Sequence, residues 1–470
     1  MLNSENKFYI TTAIDYVNDT IHIGHAFQKV IADVLARYYR IKLGKESVFF
    51  LTGTDEYGQK AEKATQVSGV STKDFVDRIA KTDIEQQDSL NISYDRFIRT
   101  TDPDHTKSVQ EIWNRVKASG DIYLGEYKGL YCTGCEAYYT EEDLIDGKCP
   151  YHPNIEVKIV SEKNYFFKWT KYKDFLIENI KNNPGFIFPL SRANEMLEFA
   201  KNIKDIPISR TNFKWGIPVP DDPEQVIYVW FDALTNYITG VGFPDNKELF
   251  NKFWPADVHI LGKDNVRWHS LLWPAMLKSA GVKIPKTILV NGFLSLNGQK
   301  ISKSLGNVIR PTDWVSKYGA DAVRYYLMRY TAITEDSDIS EEKLKAAYNS
   351  DLANGLGNLV SRVLKLCQGK EISLVFEKSA ISDNVAKLIE EYKLNEALTA
   401  IWERIKEADV LVDKEQPWKL SEEKAKPILE KLLKDIYSIA YDLQPFLTET
   451  PEKIFEKIET KEIKPLFPRI

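Results

Sequence analysis

The chain has 470 residues, of which 43% are hydrophobic and 28% are charged, and its formal net charge is −5. This length exceeds what one hydrophobic core usually supports, so we expect a folded protein of several domains. The mildly acidic balance excludes nucleic-acid binding through overall charge, and a polyanion would need local basic patches. The N-terminus lacks a signal-peptide pattern and no stretch approaches the roughly 18 apolar residues of a membrane span, so we expect a cytoplasmic protein without membrane contact.

The N-terminal segment predicts a strand, a helix and a second strand. KFYITTAID is apolar and β-branched, and after a polar loop the apolar residues recur at helical spacing until Gly44. SVFFLTGTD then predicts another buried strand. These three elements form a βαβ unit, which predicts a parallel sheet that binds its ligand at the carboxyl ends of the strands.

The pattern changes after Gly120, where short aromatic stretches, glycine turns and three of the four cysteines predict an inserted module. Strand and helix patterns return in QVIYVWFDALTNYI, ADVHILGKDNVRWHSLLWPAMLKSAG and KTILVNGFLSL. From about residue 340 onward, long amphipathic stretches predict helices. We therefore expect an α/β protein with an insertion in its sheet, followed by an all-α bundle.

The cysteines of the insertion have the spacing of metal ligands. Cys132 and Cys135 are separated by two residues, and Cys149 and His152 repeat that spacing. Two such pairs supply four ligands for tetrahedral Zn²⁺ with no open position, which is typical of a structural site. A metal-free remnant and a redox dithiol are the alternatives. Cys367, alone in an apolar helical stretch, is predicted to be a core thiol.

Two further motifs carry residues suited to phosphate chemistry. His22 and His25 flank Gly24 at the predicted start of a helix, where unpaired N–H groups and the helix dipole favour a bound phosphate. Lys300 and Lys303 lie three apart on a glycine-flanked loop, and two such cations can neutralise a leaving pyrophosphate. Either motif alone is also consistent with an ordinary polar loop.

Together these motifs, HIGH and KISKS, resemble the paired signatures of class I aminoacyl-tRNA synthetases. Within that class the sequence resembles the methionyl-tRNA synthetase family from about residue 7 to the final PLFPRI, in stretches such as LTGTDEYGQKAEKA, LGKDNVRWHSLLWPAMLK and QPWKL. The resemblance implies a Rossmann-type parallel-sheet catalytic domain with an inserted zinc-knuckle connective module, followed by an all-α helical bundle. It also implies ATP-dependent ligation of methionine to its tRNA through a methionyl-adenylate, with release of AMP and pyrophosphate.

The resemblance divides the chain into five segments. They are the first half of the catalytic domain at 1–115, the connective insertion at 116–225, the second half of the catalytic domain at 226–299, the KISKS loop with a linking module at 300–345, and the anticodon-binding domain at 346–470.

The resemblance also assigns site residues. The catalytic set is His22, His25, Lys300 and Lys303. The ATP-binding set is His22, Gly24, His25, Gly262, Lys263, Asp264 and Lys303. The methionine-binding set is Ile14, Asp55, Trp230, Ala233, Leu234, Tyr237 and His269, with Asp55 on the substrate ammonium. The metal set is Cys132, Cys135, Cys149 and His152, the anticodon set is Asn358, Arg362 and Trp418, and Arg210 lies near the entrance. From their spacing alone, Trp230 and Tyr237 would be core residues on one helical face, and Trp418 a packing residue.

The implied cofactors are a structural Zn²⁺ and an Mg²⁺ that accompanies ATP. The implied partners are methionine, ATP and a tRNA with a CAU anticodon, with a separate tRNA-binding protein in trans as an option and a monomer favoured over a dimer. Tyr57 replaces a histidine common in the family, which puts a nucleotide contact there in doubt.

Three other functions compete with this interpretation. Other class I synthetases fit less well, since the isoleucine, valine and leucine enzymes need a larger insertion and the cysteine enzyme needs zinc ligands in its pocket. An inactive tRNA-binding protein and a small nucleotidyltransferase that shares only the first motif are the others. The intact lysines argue against the former, and the helical half argues against the latter.

Overall fold

A computed structural model describes residues 6–135, 137–139, 141–211, 213–301, 306–370, 372 and 380–470. The chain forms two compact units. Unit 1 takes its described residues from the ranges Met1–Thr20, Phe49–Glu85 and Tyr94–Val290, and unit 2 takes its own from Ile21–Val48, Gln86–Ser93 and Asn291–Ile470. This division cuts across the five segments inferred from the sequence, which remain a prediction.

Strands and helices are mixed as far as the strand Ser337–Ile339, and the described chain beyond that strand is helical. The strands are β1 Phe8–Thr12, β2 Asp15–Tyr16, β3 Val48–Asp55, β4 Arg96–Arg99, β5 Ile122–Cys132, β6 Ala137–Tyr139, β7 Lys158–Phe167, β8 Ile187–Phe188, β9 Ile206–Pro207, β10 Ser209–Arg210, β11 Pro218–Val219, β12 Asp222–Ile227, β13 Val258–Gly262, β14 Thr287–Asn291, β15 Leu294–Leu296, β16 Gln299–Lys300 and β17 Ser337–Ile339. The α-helices are α1 Ile23–Leu43, α2 Gln59–Ser68, α3 Thr72–Ser89, α4 Pro103–Ala118, α5 Lys173–Asn182, α6 Leu190–Ala200, α7 Val229–Ala233, α8 Asn236–Thr239, α9 Lys247–Phe253, α10 Trp273–Ser279, α11 Pro311–Tyr318, α12 Ala320–Arg329, α13 Glu341–Ala347, α14 Asn358–Cys367, α15 Asp383–Glu390, α16 Leu394–Glu415, α17 Glu422–Leu443 and α18 Thr450–Thr460. Two π-helical segments, Trp268–Leu272 and Tyr348–Gly357, precede α10 and α14.

Unit 1 is built on the predicted sheet. Its seven strands run in the order β2-β3-β1-β13-β14-β8, with β4 paired to β3. The pairs β1 with β13, β2 with β3, β3 with β4, and β14 with β8 are parallel, so the carboxyl ends of paired strands share an edge. The strand β8 lies inside the segment assigned to the insertion, yet it pairs with the main sheet.

The insertion has its own antiparallel sheet, as the aromatic strand pattern predicts. The order of its strands is β6-β5-β7-β9, and the long pair β5 and β7 runs in register from Ile122 opposite Phe167 to Tyr131 opposite Lys158. A smaller sheet of β10, β12 and β11 lies next along the chain.

The helices of unit 1 bury one face, which follows from their apolar spacing. On α4, Val109, Ile112, Trp113 and Val116 recur every three or four residues and are all buried in the main core. Trp113 contacts Phe231 of α7 edge to face, with ring centroids 5.6 Å apart. Packing of α4 therefore sets the position of the short helix α7.

Unit 2 contains α1, a small sheet of β16, β15 and β17, and the C-terminal helices. Helix α1 ends where the sequence predicts, because Gly44 adopts a φ of +89° that favours glycine. Helices α14 to α18 form the bundle, and Leu359, Val363 and Leu364 of α14 are buried along one face. Among the described residues, no helix is long and apolar enough to cross a membrane.

Candidate functional site

Most of the predicted methionine-contacting residues of unit 1 lie on the short helices that follow β12 or on the segment that precedes α10. Trp230 and Ala233 are on α7, Leu234 follows it, and Tyr237 is on α8. His269 is on the π-helical segment that leads into α10. Ala233, Leu234, Tyr237 and His269 are buried, and Trp230 is partly buried.

Tyr237 and His269 form a direct hydrogen bond of 2.7 Å between the phenol oxygen and Nε2. The other ring nitrogen, Nδ1, lies 2.9 Å from the carbonyl oxygen of Asn265, so it carries the proton. Nε2 therefore accepts, and the Tyr237 hydroxyl donates. Burial lowers the pKa of His269 to about 4, so this imidazole is neutral at physiological pH.

Trp230 completes an aromatic wall beside this pair. Its ring stacks on Trp268, with centroids 4.9 Å apart and planes 19° from parallel, and it meets His269 edge to face at 6.2 Å. From their spacing, Trp230 and Tyr237 would share one helical face, but the helix is interrupted between them, although the linking residues Leu234 and Thr235 keep right-handed helical dihedrals. The chain turns at Leu234 and Thr235, so the two residues lie on separate short helices.

The remaining predicted unit 1 contacts lie at the carboxyl ends of strands. Asp55 is the last residue of β3 and is buried, and Ile14 lies between β1 and β2 against the main core. Burial, together with the nearby carboxylates of Asp15 and Asp55, raises the pKa of Tyr237, which places these acids beside the pocket. Gly262, Lys263 and Asp264 form the turn after β13, closed by a 3.0 Å bond from the Asn265 N–H to the Gly262 carbonyl.

Arg210, predicted near the entrance, is buried on β10. Its guanidinium carbon lies 4.1 Å from the ring centroid of Tyr228 and 5.8 Å from that of Tyr131, so the cation rests between two aromatic faces.

In unit 2, His22 and His25 lie side by side at the start of α1, with ring centroids 4.0 Å apart. His22 is the N-cap, and its Nδ1 accepts the N–H of Gly24 at 3.0 Å. The Nδ1 of His25 accepts the N–H of His22 at 3.2 Å. Because both Nδ1 atoms accept, a neutral ring carries its proton on Nε2, which makes it a hydrogen-bond donor.

The environment of His25 supports the neutral form. Burial, followed by the charge of Lys29 one turn along the helix, lowers the pKa of His25 to about 4. Gly24 has a steric role that the sequence argument did not anticipate. A Cβ at that position would lie 2.8 Å from Cε1 of His22, so only glycine leaves room for the capping ring.

The chain that follows the KISKS motif is hydrogen-bonded to α1 through the backbone. The N–H of Ile23 donates to the carbonyl oxygen of Ile309 at 2.8 Å. Lys300 is exposed at the end of β16, and its carbonyl oxygen accepts a 3.0 Å hydrogen bond from the Asn307 side chain. Lys303 lies outside the described residues.

The four predicted metal ligands converge within unit 1. One ligand atom from each of Cys132, Cys135, Cys149 and His152 lies within 4.8 Å of the others. Gly134 permits this approach, because a Cβ there would lie 2.5 Å from Cγ of His152. Three soft thiol ligands and one imidazole at these separations fit a tetrahedral metal ion.

The predicted anticodon residues lie on one surface of unit 2. Asn358 begins α14 and is exposed, and Arg362 lies one turn further on. The guanidinium of Arg362 lies 5.5 Å from the ring centroid of Trp418, which follows Pro417 in a short 3₁₀ turn. Trp418 is 49% exposed, so the expectation that it is only a packing residue does not describe it.

Sequence reasoning missed two residues that support the pocket. His259 on β13 lies against Tyr237, with ring centroids 4.2 Å apart, and its Nδ1 is 2.6 Å from the hydroxyl of Thr11. Glu56, directly after Asp55, is fully buried and binds Arg99, with 2.6 Å between Oε1 and Nε. His259 lies inside a buried strand and Glu56 directly after one, and in neither place does the sequence give a signal of the partner.

Comparisons with known proteins identify the family of the chain. The family model described as tRNA synthetases class I (M) matches residues 8–158 and 154–364. The chain is 43% identical to the methionine–tRNA ligase of Thermotoga maritima over 97% of this chain and 76% of that protein. It is 40% identical to the methionine–tRNA ligase of Rickettsia felis over 98% of this chain and 94% of that protein.

Solved structures of methionyl-tRNA synthetase resemble this chain over nearly its whole length. Mycobacterium tuberculosis methionyl-tRNA synthetase in complex with methionyl-adenylate superposes with a TM-score of 0.92 at 36% identity, over 99% of this chain and 100% of that chain. The apo form of that enzyme gives a TM-score of 0.85 at 33% identity, over 99% of this chain and 98% of that chain. These matches confirm the predicted fold class, and this chain belongs to the methionyl-tRNA synthetase family of class I aminoacyl-tRNA synthetases.

Proposed function

We propose that this chain ligates methionine to its tRNA in an ATP-dependent reaction that passes through methionyl-adenylate and releases AMP and pyrophosphate. The observation that carries the proposal is the buried contact between Tyr237 and His269, flanked by Trp230, in a chain that is 43% identical to a methionine–tRNA ligase. The near full-length match to methionine–tRNA ligases favours this specificity within the class.

The first step is the attack of a methionine carboxylate oxygen on the α-phosphorus of ATP. The new P–O bond forms as the bond to the bridging oxygen of the β-phosphate breaks, and pyrophosphate leaves. Such a step requires in-line positioning and stabilisation of charge rather than a covalent enzyme intermediate. We assign His22 and His25 to the phosphates as Nε2–H donors, and Lys300 and Lys303 to the charge that develops on pyrophosphate. ATP enters as its magnesium complex.

The nucleoside of ATP is assigned to Gly24 and to the turn after β13. Gly24 is assigned to the ATP site, where its missing side chain leaves room for the His22 ring, and Gly262, Lys263 and Asp264 are assigned to contacts with the nucleotide and its ribose. The exposed Asp264 offers a carboxylate that accepts ribose hydroxyls.

The methionine pocket follows from side-chain chemistry. Asp55 provides a carboxylate for the substrate ammonium. Trp230, Tyr237 and His269 offer polarisable edges to a thioether, and Ile14, Ala233 and Leu234 supply apolar surface. Because His269 is neutral and its Nε2 already accepts from Tyr237, the pocket presents no positive charge to the sulfur.

The acyl group then moves to the 2′-hydroxyl of the terminal adenosine of a tRNA with a CAU anticodon. We assign anticodon recognition to Asn358, Arg362 and Trp418, whose exposed indole and adjacent guanidinium suit stacking on a splayed base. We assign Zn²⁺ to Cys132, Cys135, Cys149 and His152, where four protein ligands leave no open position. It would stabilise the insertion and take no part in the chemistry.

The test is ATP–pyrophosphate exchange, with each proteinogenic amino acid supplied in turn. We expect exchange with methionine and not with isoleucine, valine, leucine or cysteine, and charging of methionine onto tRNA with a CAU anticodon. Exchange with a different amino acid would reassign the specificity within the class. Absence of exchange with all of them, in a folded sample with bound zinc, would indicate a protein that binds tRNA without activating an amino acid.

A further inference from the structure

A fully buried histidine outside the assigned site connects the two short helices that carry the pocket. His105 lies on α4. Its Nε2 is 2.7 Å from Oδ1 of Asp232 on α7, and its Nδ1 is 3.2 Å from Oγ1 of Thr239 on α8. One imidazole therefore bridges α7 and α8.

Tertiary contacts matter here because α7 and α8 are short and are joined by a turn at Leu234 and Thr235. Helix α7 has five residues and α8 has four, and a single helical turn is unstable without tertiary contacts. Asp232 lies between Trp230 and Ala233 in the sequence, and Thr239 lies two residues after Tyr237. A shift of either anchor moves a ring that lines the pocket.

The buried carboxyl of Asp232 makes the contact with His105 energetically important. Asp232 is fully buried, and among the described residues its Oδ2 has no hydrogen-bond partner. Burial raises the pKa of Asp232, and the neighbouring His105 acts in the opposite direction. Removal of the imidazole would leave a buried carboxyl without its partner on Oδ1, which favours a shift of α7.

We propose that His105 is a positioning residue of the methionine site, which acts through Asp232 and Thr239 to fix the distance between Trp230 and Tyr237. This inference rests on the proposed function. It predicts that loss of the bridge weakens methionine binding selectively, because no nucleotide-assigned residue lies on α7 or α8.

The experiment compares three substitutions that divide the bridge. His105→Leu removes both hydrogen bonds. In His105→Gln, the side-chain amide occupies the position of Nε2 and keeps the hydrogen bond to Asp232. In His105→Asn, the shorter amide occupies the position of Nδ1 and keeps the hydrogen bond to Thr239. Methionine affinity is measured by calorimetry without ATP, and the KM values for methionine and ATP and the kcat are measured in pyrophosphate exchange.

We expect His105→Leu to raise the Kd and KM for methionine about tenfold or more, as for one lost buried hydrogen bond, with the KM for ATP changed less than about twofold. His105→Gln should recover most of the affinity, because it satisfies Asp232. Ser108→Ala is the matched control. It removes a bond from α4 to the carbonyl of Phe243, 2.5 Å long, and loosens α4 without touching α7.

Three results would each overturn the positioning role. His105→Leu and His105→Gln could raise the Kd for methionine equally, or the KM values for methionine and ATP could change equally. Ser108→Ala could also raise the Kd for methionine as much as His105→Leu. If His105→Leu does not fold, His105→Asn takes its place with the same expectation relative to His105→Gln. Failure of the parent protein to exchange with methionine would instead reject the proposed function.

Discussion

Ile23 and Ile309 are joined by a backbone hydrogen bond that uses one of the first-turn amides of α1. The next amide, that of Gly24, donates to Nδ1 of His22, and the N–H of His25 lies 2.9 Å from the carbonyl oxygen of His22. The sequence argument relied on unpaired N–H groups to bind phosphate, and the structure corrects it, because these amides already have partners. The proposed phosphate contact at this helix is therefore assigned to the imidazoles rather than to the amides.

Gly24→Ala tests that conclusion. The added Cβ would lie 2.8 Å from Cε1 of His22, so the ring must leave its capping position. We expect kcat for pyrophosphate exchange to fall about tenfold or more, with little change in methionine affinity, because catalysis depends on precise placement of the donor. Gly185→Ala is the control, since a Cβ there meets no atom within 4 Å. An active Gly24→Ala enzyme would mean that His22 does not bind in its capped position.

Tyr237→Phe tests the polar contact within the pocket. The substitution keeps the ring and leaves Nε2 of the buried His269 without its 2.7 Å donor. A buried unsatisfied acceptor costs about 1–3 kcal/mol of folding stability. Because the ring of His269 then loses the contact that orients it in the pocket, we expect the KM for methionine to rise about tenfold while the KM for ATP stays nearly constant. Unchanged methionine kinetics would show that the hydroxyl takes no part in binding.

Stability should depend on pH through His269. Its native pKa is about 4, whereas an unfolded histidine titrates near ~6.5, so the unfolded chain binds the proton first as the pH falls. The stability that the neutral ring contributes is complete above the unfolded pKa and is lost between the two values. The parent should lose up to about 3 kcal/mol more than His269→Gln between pH 7 and 4.

Urea unfolding at a series of pH values measures this difference. His259 is present in both proteins, and burial is the larger cause of its lowered pKa, ahead of the nearby His269, so its contribution largely cancels in the comparison. Identical pH profiles for the parent and His269→Gln would show that His269 is not held neutral in the native state.

Metal content tests the cysteine cluster. The purified protein should contain about one zinc ion per chain, because four protein ligands form a closed tetrahedral site. Cys149→Ser should lower this content and the melting temperature, and a chelator should produce the same change in the parent. Cys367→Ala is the control, since this buried thiol lies on α14 and outside the cluster. Full zinc content in Cys149→Ser would exclude Cys149 as a ligand.

A buried ion pair within unit 2 should be sensitive to the loss of one partner. Arg324 of α12 contacts Asp33 of α1, with 2.7 Å between Nη2 and Oδ2, and both side chains are fully buried. Arg324→Met leaves a buried carboxylate without this partner and should cost about 3–5 kcal/mol. The double variant Asp33→Asn with Arg324→Met should be more stable than Arg324→Met alone, as measured by chemical unfolding. Additive losses would show that the two charges do not interact.

The sequence predicted those features that depend on local pattern. The spacing of apolar residues and the conformational freedom of glycine predict strand β1 and helix α1 with its end at Gly44. The spacing of cysteine and histidine predicts the cluster of four candidate metal ligands. The separation of α7 from α8 could not be predicted, because VWFDALTNYI contains no glycine or proline and its apolar residues fit one helix. Contacts with His105, which is distant in the sequence, accompany that break. Likewise, the partner of the Ile23 amide lies far along the chain.

The π-helical segment Trp268–Leu272 makes the pocket unusually intolerant of a change in chain length. A π turn holds one residue more than an α turn, and each helical residue rotates the chain by about 100°. Deletion of a single residue there would convert the segment to regular α-helix and turn the imidazole of His269 away from Tyr237, although every pocket residue would still be present. Natural variation in this segment should therefore consist of substitutions, whereas insertions and deletions should be confined to surface loops.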